Sequence, residues 1–195
     1  MIIAVVGSGG KTTLVHKLAE KYRAEGKTVF VTTTTHMFVE ETTLLTDDAD
    51  KIIHALLETG YAMAGIREGD KIKSLSRETF EKVCSFSDVV LVEADGSKHM
   101  PLKFPNSTEP VIPDSVDRII VVWGPHGLHK PAREVCHRLD LVLQCLGIRE
   151  DTPITQDHVQ KLLKEGYLLP LKKQYPHANI TIYPELQTEK LPDAL

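Results

Sequence analysis

Ile2-Ile3-Ala4-Val5-Val6-Gly7-Ser8-Gly9-Gly10-Lys11-Thr12-Thr13 decides the fold. Its first five residues form a short apolar run dominated by β-branched side chains, the composition of a buried strand. Glycines follow. Beyond Lys11, the residues Leu14, Val15, Leu18, Ala19 and Tyr22 recur on one face of a helix that Gly26 can end. Strand, glycine turn and helix, in that order, are the context in which Gly-Lys-Thr reads as a phosphate loop. Glycines leave backbone N–H groups free to surround phosphate oxygens, and the helix N-terminus adds about half a positive charge.

The expected nucleotide contacts are therefore Gly7, Ser8, Gly9, Gly10, Lys11, Thr12 and Thr13. Lys11 would reach the β- and γ-phosphates as a catalytic point charge, and the Thr12 hydroxyl would be a ligand of Mg²⁺. The alternative is a glycine turn with a merely solvated lysine. In the long form G-x-x-x-x-G-K-[ST] the first glycine would fall at Val5, inside the strand. The spacing here is G-x-x-G-K-T-T, and that shorter loop resembles the one in the Mur ligases, ATP-dependent enzymes that form amide bonds.

Outward from this loop, apolar β-rich runs at 28–33, 61–66, 89–92, 118–123 and 179–183 alternate with helical periodicity. Helices are expected at 48–58, ended by Gly60, at 76–86 after Ser76, and from Pro131 through Leu146. A further helix, capped by Thr155, is expected to end near Gly166. The pattern predicts an α/β fold of P-loop NTPase type: a three-layer sandwich with a mostly parallel sheet flanked by helices. One domain accounts for all 195 residues, with a core over about 1–150 and a less clearly patterned helix and strand over 151–195. Residues 94–117 hold four prolines and no periodicity, and read as an unpaired segment that orders when a triphosphate binds.

The fourth strand runs into Glu93-Ala94-Asp95-Gly96. A carboxylate at the carboxyl end of a buried strand suits Mg²⁺, and Glu93 is the expected ligand beside Thr12. Asp95 would orient an attacking water or nucleophile, and the Gly96 N–H would contact the γ-phosphate. Solvated acids at a strand corner are the alternative. Thr32, Thr33, Thr34, Thr35 and His36 read equally as strand formers or as phosphate and Mg²⁺-water contacts. Lys98 and Lys103 read as solvated or as anion-binding. His126, His129, His137 and Cys136 match no standard zinc spacing.

The formal charge of −4, with 42% hydrophobic and 26% charged residues, gives no general attraction to nucleic acid or anionic membrane. No apolar run approaches the roughly 20 residues of a membrane span. Three cysteines without C-x-x-C pairing, and a start too short and uncharged for a signal peptide, point to the cytoplasm.

Together Gly7-Ser8-Gly9-Gly10-Lys11-Thr12-Thr13, Thr32-Thr33-Thr34-Thr35-His36-Met37, Glu93-Ala94-Asp95-Gly96-Ser97, Pro101-Leu102-Lys103 and His137-Arg138 resemble the YqeC family, over about residues 2–140. The family is described as accessory proteins of selenium-dependent molybdenum hydroxylases. The resemblance implies a P-loop nucleotide-binding protein that assists cofactor maturation, with a molybdenum hydroxylase or a selenium or molybdenum cofactor intermediate as partner. ATP with Mg²⁺ is the expected cofactor ahead of GTP, because Tyr183-Pro184-Glu185-Leu186 stands where a GTPase carries Asn-Lys-x-Asp. An ATP-dependent ligase or kinase and a non-hydrolysing switch are the alternatives, and a homodimer stays open.

Overall fold

The computed structural model describes residues 1–186. β1 (Ile2–Gly7) turns through the glycines into α1 (Lys11–Ala24) and returns as β2 (Val29–Thr33). The short β3 (His36–Phe38) and β4 (Thr43–Leu45) lead to α2 (Ala49–Thr59), β5 (Tyr61–Glu68), β6 (Lys71–Lys73), α3 (Arg77–Cys84) and β7 (Val89–Glu93). After β8 (Leu102–Lys103) and β9 (Arg118–Val122) come α4 (Ala132–Val135), β10 (Cys136–His137) and α5 (Leu139–Leu146). The chain then continues through α6 (Gln156–Leu163) and α7 (Leu169–Gln174) to β11 (Asn179–Tyr183).

The main sheet has the order β11-β9-β1-β7-β2-β5-β6-β3, with β4 also on β5. Pairing is parallel from β11 through β5, and only β6 runs antiparallel, to both β5 and β3. β1 lies between β7 and β9 and is buried throughout, which is why its residues are apolar without interruption. Its alternate side chains enter two different cores. Ile3 and Val5 pack on one face with Leu14, Val15 and Ala19 of α1. Ala4 and Val6 belong to the opposite face, with Ile52 and Leu56 of α2, Val83 of α3 and Val142, Leu162 and Tyr167 from the later helices. Each large aliphatic buried in these layers contributes about 1.5–3 kcal/mol. The molecule is thus a mixed α/β protein with a mostly parallel central sheet flanked by helices. β11 joins the same sheet through β9, so the 151–186 stretch adds to this layer.

The expected caps at Ser76 and Thr155 hold: Ser76 accepts from the Thr79 amide, and Thr155 forms a reciprocal capping box with His158. Asp48, expected as the start of the second helix, caps it as well by accepting from the Asp50 and Lys51 amides.

Three expectations are corrected. The helix read from Pro131 to Leu146 is interrupted: Cys136 and His137 pair in parallel with Leu102 and Lys103, and Arg138 turns left-handed (φ 59°) before α5 restarts. Apolar spacing continued across the break, but tertiary pairing outweighs it there. The next helix does not stop at Gly166. The chain passes through a π-turn over Lys164–Leu168 into α7, and at Gly166 a Cβ would lie 2.9 Å from the Pro105 Cδ. The glycine serves close packing, not termination. Residues 94–117, finally, are not unpaired. They contain β8, Val111 donates its amide to the Ala94 carbonyl, and Thr34 Oγ1 donates to Val111 O at 2.5 Å.

Candidate nucleotide site

The glycine loop lies at the carboxyl end of β1, where a parallel sheet opens a crevice. Gly7, Gly9 and Gly10 all have positive φ (89°, 76° and 115°), which side chains rarely adopt. Two of them also have no room: a Cβ on Gly7 would lie 2.2 Å from the Val122 carbonyl oxygen, and one on Gly9 2.6 Å from the Gly124 backbone. That proximity is used, since the Ser8 amide donates to Val122 O (2.8 Å) and Ser8 Oγ to Pro101 O (3.0 Å). Gly10, with open space around it, is the N-cap of α1 and supplies no side-chain cap. Lys21 and Arg23 stand in the last turn of α1 and no acid of its own in the first, so the helix itself favours an anion at its N-terminus.

Lys11 folds back over the loop. Its ammonium donates to Gly7 O (3.0 Å) and Ser97 Oγ (3.3 Å), and the residue is only 5% exposed. Burial lowers its pKa from the usual lysine value, against the pull of Glu93 and Asp95. Thr12 Oγ1 donates to Glu93 Oε2 at 2.8 Å. Burial raises the Glu93 carboxyl, and Lys11 and the Thr12 hydroxyl oppose it. These residues line a cavity of about 860 Å³ that also takes in Gly9, Thr13, Thr35, Gly96 and Ser97. Its size lies in the range of small-molecule sites, about 300–1,000 Å³.

Asp95 is placed differently from the expectation that it orients a water. It is fully buried and holds three donors: the Gly7 amide (3.1 Å), the Tyr167 hydroxyl (2.8 Å) and the Lys103 ammonium. With both oxygens occupied by protein, it fixes the loop from behind and does not face the cavity. Lys103 bonds in addition to Gly96 O (2.6 Å) and Glu109 (2.8 Å), and Glu109 takes a two-point contact from Arg138 at 2.7 and 3.1 Å. A continuous line of charged groups therefore joins Gly7 to Arg138. Tyr167 is held neutral by full burial and the adjoining Asp95, so it serves as a donor.

A sequence profile of the family described as YqeC protein matches residues 3–140. The protein YqeC of Escherichia coli (strain K12) is 34% identical over 173 residues, covering 84% of this chain and 67% of that one. The chain belongs to the YqeC family. No solved structure matches it.

In this YqeC-family protein, Gly9, Gly10, Lys11, Thr12, Thr13, Glu93 and Gly96 share the cavity, while Gly7, Ser8 and Asp95 form its support. The threonine run divides. Thr32 and Thr33 donate to the carbonyls of Ala64 and Glu93, whereas Thr35 and His36 reach the cavity. Lys98 lines it; Lys103, expected to be solvated or anion-binding, is instead buried in the charged line. His126 and His137 line it as well, and no group of three metal-ligating His, Cys, Asp or Glu side chains forms among the described residues. Glu109 and Tyr167 were not singled out from the sequence: each lies outside any motif, and only the fold brings them to Asp95 and Lys103. No helix among the described residues is long and apolar enough to cross a membrane.

Proposed function

We propose that this protein binds a magnesium nucleoside triphosphate, ATP ahead of GTP, at the glycine loop and hydrolyses it in support of the maturation of selenium-dependent molybdenum hydroxylases. The observation that carries the reading is Lys11, Thr12 and Glu93 converging beside an uncapped helix N-terminus on the wall of a cavity of about 860 Å³. The fold around the loop, with β1 between two parallel strands, supports a P-loop NTPase. The donor set suits Mg²⁺: a hydroxyl and a carboxylate in contact, both hard oxygens, with space for the waters this ion retains. Bound there by Thr12 and Glu93, the ion would neutralise charge developing on the β- and γ-oxygens. Lys11 holds a second cation against the phosphates, the α1 amides orient them, and Gly96 lies at the cavity edge beside Ser97.

The maturation role rests on the family resemblance, and a cytoplasmic setting on the three cysteines without C-x-x-C pairing. Phosphate release with ATP or GTP, alone and with a molybdenum hydroxylase, tests it. Stimulation by the hydroxylase is expected, and absence of turnover under every condition would refute hydrolysis. Glu93→Gln keeps the shape but removes the charge, so loss of Mg²⁺-dependent nucleotide affinity is expected in a calorimetric magnesium titration. A titration identical to the unaltered protein would take Glu93 out of the metal site. A ligase or kinase is the second reading, favoured by the extension of the cavity well past the loop to His99, His137 and Arg138.

A further inference from the structure

One wall of the cavity is built from basic and imidazole side chains that the glycine loop does not use. Lys98, His126, His137 and Arg138 border the same space as Lys11 and Thr12. The acid on that wall, Glu109, is already engaged by Lys103 and Arg138. No carboxylate pairs with Lys98 among the described residues. Glu109 accepts from the Nε and Nη2 of Arg138 only, which leaves further N–H donors of that guanidinium. His137 is held below the usual histidine value, by partial burial first and then by the charges of Lys103, Arg138 and Lys98, with Glu109 opposing.

The backbone is unusual at the same places. Lys98, His99 and Arg138 have φ of 47°, 62° and 59°, and all three border the cavity. Left-handed conformations at side-chain-bearing residues persist only where the surroundings impose them, and they concentrate at ligand sites. Here the imposed turns carry a lysine, an imidazole and a guanidinium to one surface.

We propose that Lys98, His137 and Arg138 form a second subsite, which takes a small molecule bearing a carboxylate or phosphate group and holds it beside the nucleotide. Lys98 has no carboxylate to balance it, and an arginine with free donors beyond its Glu109 contact matches an oxyanion. The line Arg138–Glu109–Lys103–Asp95–Gly7 braces this wall against the glycine loop, so the two ligand positions are held at a fixed offset. The assignment rests on the nucleotide reading above for its meaning as a second-substrate position, and the experiment separates the two.

The His137 imidazole is followed by nuclear magnetic resonance across pH, with saturating magnesium and a β,γ-imido ATP analogue. Inorganic phosphate is added in one arm and malonate in the other. An anion beside His137 favours the charged ring, so its pKa is expected to rise with one probe or both, and the arm with the larger rise identifies the oxyanion. Lys98→Ala, an exposed position, is expected to weaken that probe about tenfold. Arg138→Ala is unsuitable because it would leave Glu109 short of a partner. Repetition in Lys11→Ala separates the sites: a His137 response that survives there supports the subsite even if nucleotide binding fails. No response with either probe overturns the proposal. So does equal affinity in Lys98→Ala, or a response that Lys11→Ala abolishes, since the anion then occupied the glycine loop.

Discussion

Lys103→Met is expected to lower the stability of the fold by about 3–5 kcal/mol, the effect of removing one partner from a buried ion pair. Lys103 is 3% exposed and neutralises Asp95 and Glu109 together. Methionine fills the volume but leaves Asp95 in the interior with only the Gly7 amide and the Tyr167 hydroxyl. Urea denaturation measures the loss, and an unchanged midpoint would mean that the charged line contributes nothing net. Adding Asp95→Asn is expected to recover part of it, because the penalty comes from the orphaned charge. Acid unfolding supplies a second reading. Burial alone would raise the Glu109 carboxyl, but hydrogen bonds from Arg138 and Lys103 outweigh it and take the pKa from 4.5 to about 2. A depressed folded value contributes stability that is complete above the unfolded pKa and lost as pH falls through the folded one. With Lys103 gone, Glu109 protonates at higher pH, and the acid transition is expected to move upward.

Lys11→Ala is expected to weaken ATP binding about 10- to 100-fold, from contacts to charged groups worth about 1.5–3 kcal/mol. The fold is expected to survive. The alternative of a merely solvated lysine would make its contribution small, but the structure buries it. The sign of its pKa shift gives the same outcome for another reason. A lysine whose folded value is lowered destabilises the fold below that value, and the penalty disappears as pH rises past the unfolded value of 10.5. At neutral pH the substitution removes this penalty, against the loss of a cation near Glu93. Calorimetry that found ATP affinity unaltered in the variant, with the urea midpoint confirming a folded protein, would remove the glycine loop from nucleotide binding.

What the sequence made legible was what local pattern encodes. β1, α1 and β7 are continuous apolar or periodic runs, and Asp48, Ser76 and Thr155 announce helix starts by chemistry confined to three or four residues. Lys11, Thr12 and Glu93 could be named because a strand end and a helix start fix where they point. Asp95 could be named but not understood: its partners lie 88, 8 and 72 residues away, at Gly7, Lys103 and Tyr167. The interruption at Cys136–His137 was hidden for the same reason, since its cause is a pairing with Leu102–Lys103. Residues 94–117 looked irregular because prolines suppress periodic hydrogen bonding, while their order comes from isolated contacts to distant segments.

The position of β1 has a consequence for synthesis. Made before its partners, it has no neighbour in the sheet until β7 and β9 exist, with Ile2 opposite Val90 and Ile3 opposite Arg118. At about 5–20 residues per second, its apolar side chains and unpaired edges stand open for several seconds. Closing such long chain loops makes the folding of parallel sheets slow. The glycine loop itself is incomplete until Val122 and Gly124 have emerged, because Ser8 and Gly9 rest against them. A nascent chain stalled before that point should be a substrate for chaperones and, on the proposed reading, have no affinity for nucleotide, so such a ligand would stabilise this protein only after most of its folding is over.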